Sequence, residues 1–269
     1  MKIAAVQLHC SADREDNFTR AETAVRSAAH DGARLVVLPE LFASFGRSAD
    51  MKAAAEPLHG PTLAWAQRVA TETSCTLIAG SFIERDDAGN LFNTLLVIGP
   101  DGSLLGTYRK IHLFDVDVEG ARSRESDTFS AGDEPIVLDL PVGEHTLRVG
   151  LTICYDLRFP ELFRAEALQG ADMIVVAAAF NATTGRDHWE PLLRARAIEN
   201  QLMIIAAGQW GTSPEGGTRH GHSQIIDAWG RVLADAGAEG DTVIVAEFDA
   251  EVQADIRKRL PSLANRRLS

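Results

Sequence analysis

The chain has 269 residues, of which 45% are hydrophobic and 24% charged, a balance typical of globular proteins rather than disordered or fibrous ones. Its formal charge of −12 argues against general binding to nucleic acid or to an anionic membrane, because both require a positive field. The three cysteines are widely spaced and odd in number, which excludes a disulfide framework and a Cys-x-x-Cys metal pattern.

Along the first part of the chain, short apolar runs alternate with amphipathic stretches, which is the rhythm of β-α-β units. The turn tripeptide Pro100-Asp101-Gly102 separates two apolar runs, so a hairpin is predicted around it. The predicted elements are strands at 2–8, 34–40 and 75–85, helices at 17–32 and 62–74, and the hairpin at 92–110.

Residues 115–135 lose this periodicity and carry many charges, so a long loop is predicted there. The alternation then resumes, with strands at 147–154, 173–180, 202–208 and 242–249, helices at 160–169, 187–200 and 250–260, and a strand-turn-strand unit at 223–237. No linker or change of composition divides the chain, so a single domain over residues 1–269 is expected. Hairpins mixed with β-α-β units predict an α/β fold in which apolar helices cover mixed sheets.

Neither an export signal nor a membrane anchor is expected. The first residues, MKIAAVQLHCSADRED, reach polar and acidic side chains too early for a secretory signal. No run approaches the roughly 18 apolar residues that a spanning helix needs. We therefore expect a cytoplasmic protein that binds neither membranes nor nucleic acid.

Three reactive side chains follow predicted strands. Glu40 comes after LVVLP, Lys110 ends the strand at 104–109, and Cys154 stands where the apolar run GLTI gives way to YDLRFPE. Since the carboxyl ends of strands in one sheet system converge on one crevice, we expect the carboxyl, ammonium and thiol groups to meet. Taken singly, they also fit a helix-start carboxylate, a solvated strand end and a buried structural cysteine.

Such a set suits the cleavage of an unreactive C–N bond. A thiol with a reference pKa of about 8.5 is mostly protonated at neutral pH, so Cys154 needs a base, and Glu40 can take its proton. The Lys110 ammonium and the backbone N–H of Tyr155 can stabilise the oxyanion of the tetrahedral adduct. Glu40 can then protonate the leaving amine and activate water against the thioester.

Three segments, LPELF at 38–42, YRKIHLF at 108–114 and ICYDLRFPEL at 153–162, resemble the signature motifs of the nitrilase superfamily. These are carbon–nitrogen hydrolases with a Glu-Lys-Cys triad, and the similarity extends from AAVQL near the start to about residue 260. The resemblance implies an αββα sandwich, in which two mixed sheets lie between helical layers. It also implies a homodimer or higher homo-oligomer that needs no cofactor.

Within the superfamily, the segments at 115–133, 180–201 and 220–230 are most similar to the Nit branch. That branch contains ω-amidase, which acts on α-ketoglutaramate and α-ketosuccinamate, and deaminated-glutathione amidase. Both hydrolyse amides of small carboxylate-bearing molecules, and the resemblance implies such a substrate here. The segment AAGQWG at 206–211 matches neither substrate class, so the preferred amide stays open.

The same resemblance implies roles for further residues. Glu125, in ESDT, matches a second active-site glutamate that orients the substrate amide or the lysine. Arg158 and Thr184 are predicted to hold the substrate carboxylate, Arg158 through charge-assisted hydrogen bonds. Alternatives are a loop salt bridge for Glu125, an ion pair with Glu161 for Arg158 and a turn hydroxyl for Thr184.

Two other functions remain open. The triad could act on a nitrile or an N-carbamoyl amine, although Arg158 together with the Nit-like loop disfavours these substrates. A catalytically silent relative could bind a metabolite or a partner, but such a protein has no chemical reason to retain Glu40, Lys110 and Cys154.

The remaining histidines and cysteines have structural interpretations. His220 and His222 alternate along a predicted strand, but no third ligand follows from the spacing and the chemistry needs no metal, so a surface strand is favoured. Cys10 and Cys75 lie beside apolar strands and are predicted to be core thiols.

Overall fold

The computed structural model describes residues 1–118, 121–212 and 217–268, and in these ranges two six-stranded sheets carry most of the strands. The strands are β1 Lys2–Gln7, β2 Leu35–Val37, β3 Thr76–Arg85, β4 Leu91–Ile98, β5 Leu104–Arg109, β6 Asp115–Val118, β7 Ala121–Arg124, β8 Val137–Val142, β9 His145–Ile153, β10 Met173–Ala178, β11 Met203–Gly208, β12 Trp210–Thr212, β13 Thr218–His220, β14 Gln224–Ile226, β15 Val232–Asp235 and β16 Thr242–Glu247. The helices are α1 Arg14–His30, α2 Ser48–Ala53, α3 Pro61–Thr73, α4 Pro160–Leu168, α5 Ala182–Asn200 and α6 Ala250–Arg259.

Both large sheets are mixed. The first has the order β16-β1-β2-β3-β4-β5 and the second β15-β14-β11-β10-β9-β8. Strands β1, β2 and β3 are parallel, and β5 runs in the same direction because two antiparallel pairings separate it from β3. In the second sheet β9, β10 and β11 are parallel. The carboxyl ends of the parallel strands therefore gather at one edge of each sheet, and Glu40, Lys110 and Cys154 follow three of these ends.

Successive side chains along a strand point to opposite faces of the sheet, so each sheet packs against the other sheet on one face and against helices on the other. In β1, Ile3 and Ala5 face the second sheet, whereas Ala4 and Val6 belong to the cluster that packs under α1 and α3. Helices α4 and α5 cover the other face of the second sheet, and Trp189 of α5 is fully buried there. Burial of each large apolar side chain contributes about 1.5–3 kcal/mol. The predicted αββα sandwich is confirmed.

The segment 115–135 departs from its prediction as one long loop. Strands β6 and β7 form a hairpin, and a 3-10 turn at Glu125–Asp127 follows it. Each strand has only four residues, too few for a periodic pattern to stand out among the charges. Residues 119 and 120 of this segment lie outside the described residues.

Three other elements also differ from the sequence prediction: α5 begins earlier than expected, and α2 and β8 were not predicted. Helix α5 begins at Ala182, five residues before its predicted start, because the Asn181 side chain caps it by accepting a hydrogen bond from the Thr183 N–H. Helix α2 is a short segment without buried residues. Strand β8 contains Pro141, which argues against a central strand but is tolerated at a sheet edge, where β8 lies.

Within the described ranges, no helix combines the length and the apolar character required to cross a bilayer.

Candidate active site

Cys154 stands at the corner between β9 and a 3-10 turn, Cys154–Arg158, that leads into α4. Its φ of +47° lies in the left-handed region, which is uncommon for a residue other than glycine. The Asp156 carboxylate braces the corner by accepting a hydrogen bond from the Ile153 N–H at 2.9 Å. The Cys154 residue is 8% exposed and lines a cavity between the two sheets.

Glu40 reaches the same cavity from the end of β2, and its carboxylate is held from several sides. Oε2 accepts a hydrogen bond from the Ala179 N–H at 2.7 Å, beyond the end of β10. Oε1 accepts hydrogen bonds from Asn93 Nδ2 and Lys110 Nζ, both at 2.9 Å. The backbone carbonyl of Glu40 accepts a further one from the Gln209 side chain at 2.7 Å. Both sheets therefore position this buried acid.

Lys110 follows β5 and is 2% exposed. Its Nζ lies 2.9 Å from Glu40 Oε1 and 2.8 Å from Glu125 Oε2. Glu125 is held in turn by the Phe114 N–H, which donates to Oε2 at 2.6 Å. A buried ammonium is tolerated only when it is paired, and here two carboxylates pair with it.

The electrostatics of these groups set their protonation states. Burial alone lowers the pKa of Lys110, but the Glu125 and Glu40 carboxylates outweigh it and hold that pKa well above its usual range. Burial favours neutral Glu40, yet the Lys110 charge and hydrogen bond lower the pKa of this carboxyl. Burial and the Glu40 charge raise the pKa of the Cys154 thiol well above its usual range, against the pull of Lys110. The resting site thus holds a carboxylate, an ammonium and a thiol.

The cavity around these groups measures about 400 Å³, a size common among small-molecule sites. Among the described residues, five aromatic and five charged residues line it. The aromatic residues are Phe45, Phe114, Phe129, Tyr155 and Phe180, and the charged ones are Glu40, Lys110, Arg124, Glu125 and Arg219.

Tyr155 and Thr184, predicted to contact substrate, both line this cavity. Arg158 is placed differently: its Nη1 lies 3.2 Å from His188 Nδ1, and its Cζ lies 5.2 Å from the ring centroid of Phe180 and 5.8 Å from that of Tyr155. The Arg158 guanidinium therefore lies near two rings of the cavity wall, and Arg158 itself does not line the cavity.

Asp156 joins two of the signature segments and was not predicted to do so. Its Oδ2 accepts hydrogen bonds from Tyr108 Oη at 2.7 Å and the Ile153 N–H at 2.9 Å. Its Oδ1 accepts one from the His112 N–H at 3.0 Å and lies 2.7 Å from His112 Nδ1. This fully buried carboxylate ties the segment around Lys110 to the corner of Cys154.

Asn93 is a second residue that sequence reasoning missed. Its amide donates to Glu40 at 2.9 Å and to Glu125 at 3.4 Å. The available signal was an amide side chain within the largely apolar run LFNTLLVI, and the structure buries that side chain fully.

Among the described residues that line the cavity there is no histidine and no cysteine other than Cys154. Cys10 and Cys75 are buried free thiols, as predicted. His222 Nδ1 lies 3.1 Å from Asp235, and burial lowers the pKa of its neighbour His220 to about 4. Among the described residues, no group of three or more His, Cys, Asp or Glu side chains is arranged to hold a metal ion.

Comparison with known proteins identifies the class to which this fold and these motifs belong. Residues 2–258 match the model of the carbon-nitrogen hydrolase family, and the chain belongs to that family. It is 43% identical over 267 residues to omega-amidase NIT2 of Mus musculus, covering 99% of this chain and 95% of the relative. It is 41% identical to omega-amidase NIT2 of Danio rerio, covering 99% and 94%.

A solved structure agrees with this assignment. The crystal structure of Saccharomyces cerevisiae Nit3, a member of branch 10 of the nitrilase superfamily, superposes with a TM-score of 0.89 at 32% identity, covering 100% of this chain and 97% of that one. The predicted membership of the superfamily and of its Nit branch is confirmed.

Proposed function

We propose that the protein is an amidase that hydrolyses a non-peptide C–N bond of a small carboxylate-bearing substrate through a thioester on Cys154. The observation that carries the proposal is the meeting of the Glu40 carboxylate, the Lys110 ammonium and the Cys154 thiol at one cavity of about 400 Å³. The identity of 43% to a mouse ω-amidase over nearly the whole chain supports the substrate class.

The first half-reaction uses the protonation states of the resting site. Glu40 takes the thiol proton as Sγ of Cys154 bonds to the amide carbon, which shifts the carbonyl electron pair onto oxygen. Lys110 Nζ and the Tyr155 N–H stabilise that oxyanion; the latter lies in the first turn of its 3-10 helix, where N–H groups lack helical partners. Glu40 returns its proton to the nitrogen, the C–N bond breaks, and ammonia or an amine leaves.

The second half-reaction reverses these roles. Glu40, again a carboxylate, removes a proton from water as the water oxygen attacks the thioester carbon. The oxyanion occupies the same position. Collapse of the adduct breaks the C–S bond and releases the acid, and Glu40 returns its proton to the departing sulfur, which restores the Cys154 thiol and the Glu40 carboxylate. Glu125 keeps the ammonium in place throughout, since both of its oxygens lie within 3.0 Å of Lys110 Nζ.

The acyl part of the substrate is proposed to extend along the wall that contains Thr184, with Arg158 adding a positive charge from its position near Tyr155 and Phe180. An ω-amide of a keto-dicarboxylate or deaminated glutathione has the required carboxylate. The cavity volume supports a substrate of either size.

We further propose a single cytoplasmic domain, 1–269, that works as a homodimer. Three free cysteines support a reducing compartment. Apolar side chains exposed on and beside α5 and α6 support association, among them Ile198 at 48%, Trp229 at 52% and Val252 at 53%. Sedimentation equilibrium tests this, and a monomer at micromolar concentration contradicts it.

Replacement of the thiol tests the mechanism. Cys154→Ala is expected to abolish release of ammonia or amine while the thermal transition is retained. The matched control is Cys75→Ala, which removes another buried thiol from the layer under α3 and is expected to stay active. Undiminished hydrolysis by folded Cys154→Ala contradicts the mechanism.

A substrate panel tests the class. We expect α-ketoglutaramate or deaminated glutathione to be hydrolysed with a higher kcat/KM than a simple nitrile or an N-carbamoyl amino acid. Preference for either of the last two compounds contradicts the proposed substrate class.

A further inference from the structure

We infer that Arg124 and Arg219 form an anion-binding subsite at the mouth of the cavity, which holds the substrate carboxylate at the end remote from the scissile amide. The inference rests on the proposed amidase function and adds to it the residues that select the substrate. We call this pair the mouth arginines.

The mouth arginines come from two small hairpins that lie outside the six-stranded sheets. Arg124 ends β7 of the β6–β7 hairpin, and Arg219 is the central residue of β13 in the β12–β13 hairpin. Each hairpin thus supplies one guanidinium to the same cavity.

Both hairpins are tied to the floor of the cavity. The residue that follows Arg124 is Glu125, whose carboxylate binds Lys110. Arg219 forms an antiparallel bridge with Asn181, which also lines the cavity. The Cζ atom of Arg219 lies 4.6 Å from the ring centroid of Phe45, so the ring supports one face of the guanidinium. Stacking on a ring leaves the charge of the guanidinium in place, and the planar fork of arginine matches the geometry of a carboxylate.

The charges that line the cavity are separated by depth. At the floor, two carboxylates, Glu40 and Glu125, face one ammonium, Lys110, and all three groups are largely shut away from solvent. Toward the solvent lie Arg124, which is exposed, and Arg219, which is half-buried. Among the lining residues that the structure describes, the floor therefore has an excess of negative charge and the mouth an excess of positive charge.

This separation orients an amide that carries a carboxylate. The floor repels the carboxylate and accepts the neutral amide, while the mouth arginines attract the carboxylate. The amide then faces Cys154. The same field gives no orientation to a diamide, because both of its ends are neutral.

The experiment compares two substrates in five proteins. The substrates are the monoamide of a five-carbon dicarboxylic acid and the corresponding neutral diamide. The proteins are the native enzyme, Arg124→Met, Arg219→Met, Arg158→Met and, as a control for the lost charge, Arg259→Met on α6, where the side chain is 78% exposed.

We expect kcat/KM for the monoamide to fall roughly 10- to 100-fold in Arg124→Met and in Arg219→Met, chiefly through KM. The diamide is expected to keep its native kcat/KM in both variants, and Arg259→Met is expected to match the native enzyme with both substrates. Retention of the native monoamide preference by Arg124→Met and Arg219→Met overturns the inference. Loss of the preference in Arg158→Met alone places the anion at Arg158 and also overturns it.

Two further measurements separate failure of the subsite from other failures. A native enzyme that hydrolyses neither of these amides and also fails to hydrolyse α-ketoglutaramate overturns the proposed function, whereas equal kcat/KM for both amides overturns the subsite alone. Because Arg219 packs on Phe45, Arg219→Lys provides a variant that keeps the charge, and it is expected to retain part of the preference. Calorimetric titration of the monoamide into Cys154→Ala, with and without Arg124→Met, measures the same loss as a weaker Kd, independently of turnover.

Discussion

Two regions of the molecule each bury a glutamate, and the two carboxyl groups differ in protonation. Glu40 lies at the cavity floor between the sheets, and Glu166 lies between α4 and β9. The Glu40 carboxylate has the Lys110 ammonium at 2.9 Å, and its pKa is lowered. Glu166 accepts one hydrogen bond, from the Leu151 N–H at 3.2 Å, and burial raises its pKa well above the usual range.

Burial acts in the same direction on both groups, so the cation makes the difference. No described residue forms a hydrogen bond with Glu166 Oε2, and the nearby Asp156 charge raises the pKa of Glu166 further. A buried carboxyl stays ionised only if a neighbouring charge exceeds the cost of desolvation. The active site meets this condition with Lys110, which lets Glu40 serve as a base.

Removal of the cation makes the two regions alike and has the largest expected effect. In Lys110→Met, Glu40 and Glu125 share a buried site with no ammonium, so the pKa of Glu40 rises. We expect amide hydrolysis to fall at least roughly 10²–10³-fold, and the free energy of unfolding to fall by about 3–5 kcal/mol. Steady-state kinetics and urea denaturation measure both changes.

Lys258→Met, which removes an exposed lysine of α6, is the matched control and is expected to retain native rates. If Lys110→Met keeps a rate within a few fold of the native enzyme, the lysine has no part in the reaction.

A smaller effect, on the pH dependence of stability, is expected at Glu166, where no described cation lowers the pKa of the buried carboxyl. The folded-state pKa of Glu166 lies above the ordinary value of 4.5, so below pH 4.5 both the folded and the unfolded chain hold the proton. As the pH rises, the unfolded chain releases its proton first and the free energy of unfolding falls. Glu166→Gln removes this dependence, so the difference in Tm between variant and native protein should increase in favour of the variant from pH 4 to pH 8.

Glu161→Gln, on the exposed side of the same helix, controls for the change of net charge and should show no such trend. A constant Tm difference for Glu166→Gln across this pH range means that Glu166 is ionised in the folded protein.

The cavity floor was largely predictable from the sequence, because Glu40, Lys110 and Cys154 each follow a predicted strand and belong to a recognisable motif. The mouth was not. Strands β6 and β7 are too short for periodicity to reveal, and the role of Asn93 depends on the pairing of β4 with β3 and β5, which brings its amide to a glutamate 53 positions away. Contacts between distant segments follow from sheet register, which local composition does not encode.

The position of Arg158 also depends on such contacts. The motif match predicts contact with the substrate, and that role stays a prediction; the Arg158 guanidinium lies near the rings of Tyr155 and Phe180, which line the cavity. Its placement is shared with His188, a packing partner that the motif does not specify.

A third glutamate, Glu22 on α1, extends the comparison to the surface and should give the smallest effect. Hydrogen bonds from Arg68, together with the Arg26 guanidinium, lower the pKa of Glu22 to about 2. The shift makes Glu22 stabilising above its unfolded pKa of about 4.5, and this contribution is lost as the pH falls toward 2. Solvent and salt screen the pair, so we expect Glu22→Gln to lower the free energy of unfolding by less than about 1 kcal/mol at pH 7. Urea denaturation at 0.05 M and 1 M NaCl measures the effect, which should vanish at the higher salt; a loss that persists there would show that Glu22 acts through packing and not through charge.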